Sequence, residues 1–364
     1  MICFRIAALL ILLPVVSVLS VPDAEAYLPP DVREFLIQEL HFTEKQVAAV
    51  EMGKGLVAIM KTEKREEIAL FGLIRVEAPT EFFVSKFRNI VKFESGRNVL
   101  QSGVFRSPPE RSDVASLTWE PDDLEQIRKC KRNDCGVRLP QGSVLDLKAK
   151  VNWSSRNAHR QANDLLRQRM GDLVKAYQSV GDRALPVYAK NGKFIRVKDG
   201  FHLLLRNSRL LNLQVPELIS YLRDYPDEKN PGAEDLFYWQ KGEFGLQPVI
   251  RISHVVILKM DRDPGTSYAI ASKMLYANHY LRDGLEVRLL LSDSCAGCGF
   301  YLLVINRSHV DGMTGFKGWF VRGSTVKKSV ASLEKWLSKI KMRMEKDFQR
   351  RAELLVAGQF CSHS

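Results

Sequence analysis

The sequence predicts an α+β protein in which a meander of antiparallel strands is crossed by one long C-terminal helix. Between 234 and 310 the chain passes through DLFYWQKGEF, PVIRISHVVILKM, SYAIASKMLYANHYL, LEVRLLL and GFYLLVINRS, all rich in β-branched and aromatic residues. Turn-forming clusters separate them at 261–265, 282–284 and 293–299. Beyond 315 the period changes. Val326, Val330, Leu333, Leu337, Ile340 and Met344 fall on one side of a helix, and Lys327, Lys328, Lys335, Lys339, Lys341, Arg343 and Lys346 on the other. A sheet with an apolar face and a helix with an apolar stripe bury each other when the helix lies across the sheet.

A chain of 364 residues, 45% hydrophobic, is long enough for one large domain or two ordinary ones. Residues 1–26 read as a signal peptide: basic MICFR, apolar IAALLILLPVVSVLS, then the small-x-small site Ala24-Glu25-Ala26. The expected mature start is Tyr27, in a periplasmic or secreted protein. An uncleaved anchor is the alternative, but the apolar run is short for a span. Cys3 lies too early to be a lipid-modified cysteine at the cleavage point. The formal net charge is +12, and losing Arg5, Asp23 and Glu25 on cleavage leaves that surplus in place. For an exported protein it favours an anionic membrane surface or an acidic envelope polymer; a solvated basic surface is the plainer alternative. Nucleic acid is in the wrong compartment, and no nucleic-acid-binding motif is visible.

Residues 27–62 form an N-terminal helical segment. DVREFLIQELHF places Phe35, Leu36 and Leu40 inward, and Thr43 with Gln46 makes a capping box for KQVAAVEM. GLVAIMKT and REEIALFGLIRVEA are strands, with KTEKRE as their turn. The unit 63–93 then runs from strand through Ala78-Pro79 into a helix, with Thr80 as cap and Phe82, Phe83, Phe87, Ile90 and Val91 as its stripe. Residues 94–234 read as a mainly helical insertion, a lid or a subdomain. It opens with polar SGRNVLQSGVFRSPPERSD, and ASLTW is a strand candidate. PDDLEQIRKC, SVLDLKAKV, SSRNAHRQANDLLRQRMGDLVKAYQSVG and PELISYLRDY are helices, and KNGKFIRVKDGFHLLLR is a hairpin or strand. RDYPDEKNPGAED is the clearest loop and marks the boundary with 235–350, the sheet and C-terminal helix; 351–364 is a tail.

The strand, Ala-Pro, helix passage at 66–91, together with the strands and closing helix of 235–350, resembles the START-like and polyketide cyclase-like helix-grip (SRPBCC) superfamily. The resemblance lies in element order and one short passage. It implies a cavity that binds apolar ligands, and it assigns no individual functional residue. The long stretch 94–234 departs from that pattern.

Cys130, Cys135, Cys295, Cys298 and Cys361 remain after processing, and an exported context permits disulfides. Polar Lys131–Asp134 and the small Ala296-Gly297 link suit local pairs Cys130–Cys135 and Cys295–Cys298, leaving Cys361 free; the alternative pairs Cys135 with Cys295 or another distant partner and ties the insertion to the sheet. Cys295-Ala-Gly-Cys298 also has the spacing of a thiol exchanger, but its flanks are strands rather than a helix start. A zinc site is disfavoured by the sequence separation of the two pairs, and c-type haem by the lack of a His after Cys298. No metal or cofactor is expected.

His254, His279 and His309 lie in the strand-rich region. His309, with Ser308 and Asp311 beside it, has the residue types for acid–base work but lacks a nucleophile-elbow context; a hydrogen-bonded sheet histidine is the commoner outcome. Tyr268, Tyr276, Tyr280, Phe300, Tyr301, Trp319 and Phe320 are first of all core and sheet residues. Within a cavity, His254, Tyr276, His279 and Tyr301 would be lining residues, and Arg288 or Arg307 would meet an anionic head group. The leading expectation is an exported carrier for a hydrophobic or amphipathic, lipid-like ligand. A cyclase- or hydrolase-like enzyme using His279 or His309 is the alternative, and a structural envelope protein binding an acidic polymer is a third.

Overall fold

The computed structural model describes residues 28–130, 135–139, 142–190, 193–245, 247–262, 265–293 and 299–361. The expected signal peptide and Cys295 and Cys298 lie outside these residues.

The chain opens with α1 (Pro30–Gln38) and α2 (Glu44–Glu51), then β1 (Leu56–Ile59), β2 (Glu67–Val76), α3 (Thr80–Phe87), α4 (Ile90–Phe93) and β3 (Val99–Phe105). The capping box of α2 is present: Gln46 N donates to Thr43 Oγ1 at 3.3 Å, and Thr43 N to Gln46 Oε1 at 2.9 Å. At α3 the cap position belongs to Pro79 rather than Thr80, whose hydroxyl donates instead to the Thr266 carbonyl at 2.9 Å. Helices α5 (Pro121–Lys129), α6 (Ser143–Lys150) and α7 (Ala158–Val180) follow, then the hairpin β4 (Val187–Lys190) and β5 (Lys193–Arg196), and α8 (Val197–Arg206), α9 (Arg209–Gln214) and α10 (Pro216–Asp224). The chain ends in β6 (Ala233–Phe244), β7 (Gln247–Arg262), β8 (Gly265–Ala277), β9 (Leu281–Ser292), β10 (Phe300–Val310) and α11 (Gly315–Cys361).

Eight strands form one open antiparallel sheet in the order β1-β2-β10-β9-β8-β7-β6-β3. The fold is α+β, as expected, with α11 packed across the β1–β2 side. Val326, Leu337, Ile340 and Met344 are buried while Lys335 and Lys339 face solvent. Helix and sheet meet at Gly72, where an added Cβ would fall 3.0 Å from Leu337 Cδ1 and 3.2 Å from Leu333 Cδ2. Two of the basic residues assigned to the solvent side are tethered: Lys341 Nζ donates to the Arg75 carbonyl at 3.1 Å and Arg343 to the Phe93 carbonyl at 3.2 Å.

Three expectations are corrected. The sheet has two faces to bury, not one. On the α11 face, Phe83, Phe87, Phe93 and Phe300 make edge and stacked contacts at centroid distances of 5.0–6.4 Å. The opposite face is covered by α1, α2 and α8–α10 over Phe71, Leu289 and Leu303, and by α7 over Trp239, Ile252 and Tyr276. Residues 94–234 therefore supply a structural layer, and the polar stretch at their start contains the sheet strand β3. ASLTW is not a strand. Finally, Arg282-Asp283-Gly284 is no turn: it lies within β9, and the chain reverses at Asn278–Tyr280, with Tyr280 at φ 53°. The insertion supports that reversal. Arg138 N donates to the Asn278 carbonyl at 2.9 Å, and its guanidinium donates to the carbonyls of Tyr280 and Leu281.

Candidate functional site

The six residues expected to line one cavity do not converge. Directly paired residues in adjacent strands share a face of the sheet. The register Phe237–His254–Lys273–Leu285–Arg307 therefore puts His254 and Arg307 on the face covered by the insertion. Tyr301 and Tyr276 pack in the cores on that face. Arg288 lies on the α11 face, and His279 in the β8–β9 turn.

On the insertion face, several buried polar groups pair with one another. His254 Nε2 donates to Asp235 Oδ1 at 2.7 Å, and Nδ1 faces the Tyr177 hydroxyl at 3.2 Å. Burial lowers the His254 pKa, although Asp235 works the other way. Beside it, Lys273 pairs with Asp182, donates to the Leu222 carbonyl at 2.8 Å and sits 4.1 Å above the Phe201 ring. Burial pushes this lysine down to about 8 against the pull of Asp182. Arg307 is held by Glu67 at 2.6 Å, and the Tyr276 hydroxyl donates to the Arg138 carbonyl at 2.8 Å. His279 bonds Asp123 of α5 at 2.9 Å. The contacts with Tyr177, Asp182, Arg138 and Asp123 join sheet to insertion.

The acid–base grouping at His309 is not assembled. His309 Nδ1 donates to Asp283 Oδ1 at 2.6 Å, whereas Asp311 accepts from Arg138 and Arg282. Strand alternation puts Ser308 on the other face from His309. Asp283 lies directly under Gly200 of α8, where any Cβ would collide with its carboxylate.

The α11 face carries a different grouping. One register row reads Val255–Ser272–Glu286–Asn306–Leu70, and the row beside it includes Ser253 and Ser308. Ser253, Ser272, Glu286, Asn306 and Ser308 are all half-buried, on strands whose neighbouring rows are apolar. Helix α11 packs chiefly on β1 and β2, and α3 on β8 and β9. The polar strip lies on this same face, across β7 to β10. Half-buried Val330, Leu333 and Trp336 of α11 stand along one side. At its inner end Arg288 bonds Glu94 at 2.8 Å and Glu286 at 2.5 Å, with its guanidinium 5.1 Å from the Phe87 centroid and 5.2 Å from that of Trp336. Burial works against this charge, but Glu286 and Glu94 outweigh it and raise the Arg288 pKa. The Asn306 amide donates to Glu286 at 3.2 Å, and burial pushes the nearby Tyr238 phenol up to about 12.

Two carboxylates against one guanidinium leave no surplus positive charge for an anionic head group. The available chemistry is hydrogen bonding from hydroxyls, an amide and a carboxylate, against an aromatic and aliphatic wall. Glu286, Ser272, Asn306 and Trp336 were not singled out from the sequence. For Glu286 and Asn306 the signal is alternation: Glu286 with Arg288, and Asn306 with Ser308, occur at every second position of their strands. Among the described residues, no three His, Cys, Asp or Glu side chains gather as metal ligands. Cys130 and Cys135 lie at disulfide distance, with Cα atoms 4.8 Å apart. No protein-family model matches the chain, and no curated protein matches it significantly.

Proposed function

We propose that this protein binds a lipid-like, amphipathic ligand over the polar strip on the α11 face of the sheet, as a carrier rather than a catalyst. The observation that carries this reading is the half-buried polar strip Ser253–Ser272–Glu286–Asn306–Ser308 set within an apolar, aromatic-walled sheet face. Ligand sites of this kind pair a large apolar lining with a few placed polar groups. The antiparallel meander closed by a long helix is also the element order that the helix-grip resemblance expects. The anionic head group expected from Arg288 gives way to a neutral, hydroxyl- or amide-bearing one, because Glu94 and Glu286 already neutralise that guanidinium. The enzyme alternative has less support, since His279 and His309 are each buried and committed to a structural aspartate. Export through the N-terminal apolar segment remains part of the proposal.

Native mass spectrometry with lipid extraction tests it, together with displacement of a fluorescent fatty-acyl probe. The wild-type protein is expected to retain a neutral amphiphile. Ser272→Trp, which puts a bulky ring in the middle of the polar strip, is expected to weaken probe binding at least about tenfold, while Lys339→Ala leaves it unchanged. No co-purifying amphiphile and no probe binding, or equal binding by Ser272→Trp, would remove the reading.

A further inference from the structure

We infer that the first turns of α11 and the adjoining β1–β2 hairpin form a docking surface for an anionic lipid bilayer. Trp319, Phe320 and Val321 are consecutive and 58%, 58% and 47% exposed, and the two rings lie edge to face at 4.7 Å. Exposed apolar patches on soluble proteins mark sites that something covers. Arg322 fixes the neighbourhood by donating to the carbonyls of Arg65 at 2.7 Å and Glu67 at 2.6 Å. That contact brings the β1–β2 hairpin to the start of the helix. Its loop exposes Lys61, Lys64 and Arg65 against the single exposed acid Glu63, and Ile59 at the end of β1 is 56% exposed. Lys327 and Lys328 are exposed on the next turns of α11.

Charge complementarity identifies the occupant. An aromatic tip ringed by exposed cations matches the layering of a bilayer, with rings at the head-group level and lysines against anionic lipid. No described helix is long and apolar enough to cross a membrane, so the contact is peripheral. This inference rests on the patch itself and not on the ligand proposed above; docking would bring the protein to a source or acceptor of such a ligand.

The test uses the full chain with vesicles of phosphatidylcholine alone and of phosphatidylcholine mixed with phosphatidylglycerol, some carrying brominated acyl chains. Binding is expected only to the mixed vesicles, and high salt should release it. Brominated lipid is expected to quench a component of the tryptophan fluorescence that disappears in Trp319→Phe. This assigns the contact to α11 rather than to the N-terminal apolar run. Trp319→Ser with Phe320→Ser, and separately Lys327→Glu with Lys328→Glu, should each weaken binding at least about tenfold. Circular-dichroism melts matching wild type would show that these variants are folded. Absence of binding to the mixed vesicles, undiminished binding by the aromatic double variant, or a quenched component that survives Trp319→Phe would each overturn the proposal. Binding to a soluble polyanion that the aromatic substitutions do not weaken, without vesicle binding, would assign the basic ring to an acidic polymer instead.

Discussion

Replacing Gly72 in β2 by valine should destabilise the protein by about 1–3 kcal/mol, and removing Leu337 from the helix above it should recover part of that loss. Leu337 is 1% exposed and Gly72 lies beneath it: a Cβ there would stand 3.0 Å from Leu337 Cδ1 and 3.2–3.3 Å from Leu333 Cδ2 and Cγ. In an open strand, a β-branched residue would be favoured over glycine. Here even one carbon is tighter than ordinary van der Waals contact, and two more γ-carbons must displace the helix or force poor rotamers. Leu337→Ala alone should cost ~2–5 kcal/mol, as loss of a buried leucine does. In Gly72→Val/Leu337→Ala, the new methyls enter the space the leucine leaves, and the two losses should sum to at least ~1 kcal/mol more than the double variant shows. Leu333 still crowds the site, so recovery is partial. Urea denaturation of the four proteins, with Lys339→Ala as a surface control within about 0.5 kcal/mol, measures the coupling. Strictly additive losses, or a stabilised Gly72→Val, would mean that α11 does not bear on β2 here.

Stability should also rise with pH above about 8. Lys273 is pushed down to about 8 from an ordinary 10.5, so between those values the unfolded chain binds the extra proton and folding gains up to ~3 kcal/mol. Above pH ~10 the trend should reverse, because the buried phenols of Tyr177 and Tyr276 have raised pKa values and the unfolded chain releases those protons first. Urea midpoints from pH 7 to 10 check this, and a rise that persists unchanged in Lys273→Met would contradict it. Peptide mapping without reduction should recover a Cys130–Cys135 link. Because that ring is short, its reduction should cost less than the ~3 kcal/mol expected for a loop of about 15 residues.

What was legible followed local periodicity. The α11 stripe is a repeat that needs no distant partner, and the passage from β2 through Ala78-Pro79 into α3 is set by its own residues. The second buried face was also written in the sequence, since Leu289-Leu290-Leu291 and Tyr301–Ile305 alternate with nothing polar and so must be covered on both sides. The turn was misread because Asp-Gly is a strong turn signal in isolation. Here Asp283 is held by His309, while the actual reversal at Asn278–Tyr280 is supported by the distant Asp123 and Arg138.

Partner choice was the illegible part, for a physical reason. Glu67 and Arg307 stand 240 residues apart, Asp182 and Lys273 91, and Asp123 and His279 156. Each member alone looks like an ordinary surface charge or sheet histidine, and only the register of the sheet brings it to its mate. A buried charge whose partner is removed costs far more than the pair contributes. Asp182 and Asp123 come from the segment between β3 and β6, whereas Lys273 and His279 belong to β8 and its turn. Swinging that segment away as a lid would therefore break both pairs and expose the apolar layer of Trp239, Ile252 and Tyr276 that it covers. For the ligand proposed above, that leaves entry from the α11 face, where Ser253, Ser272, Glu286, Asn306 and Ser308 are half-buried.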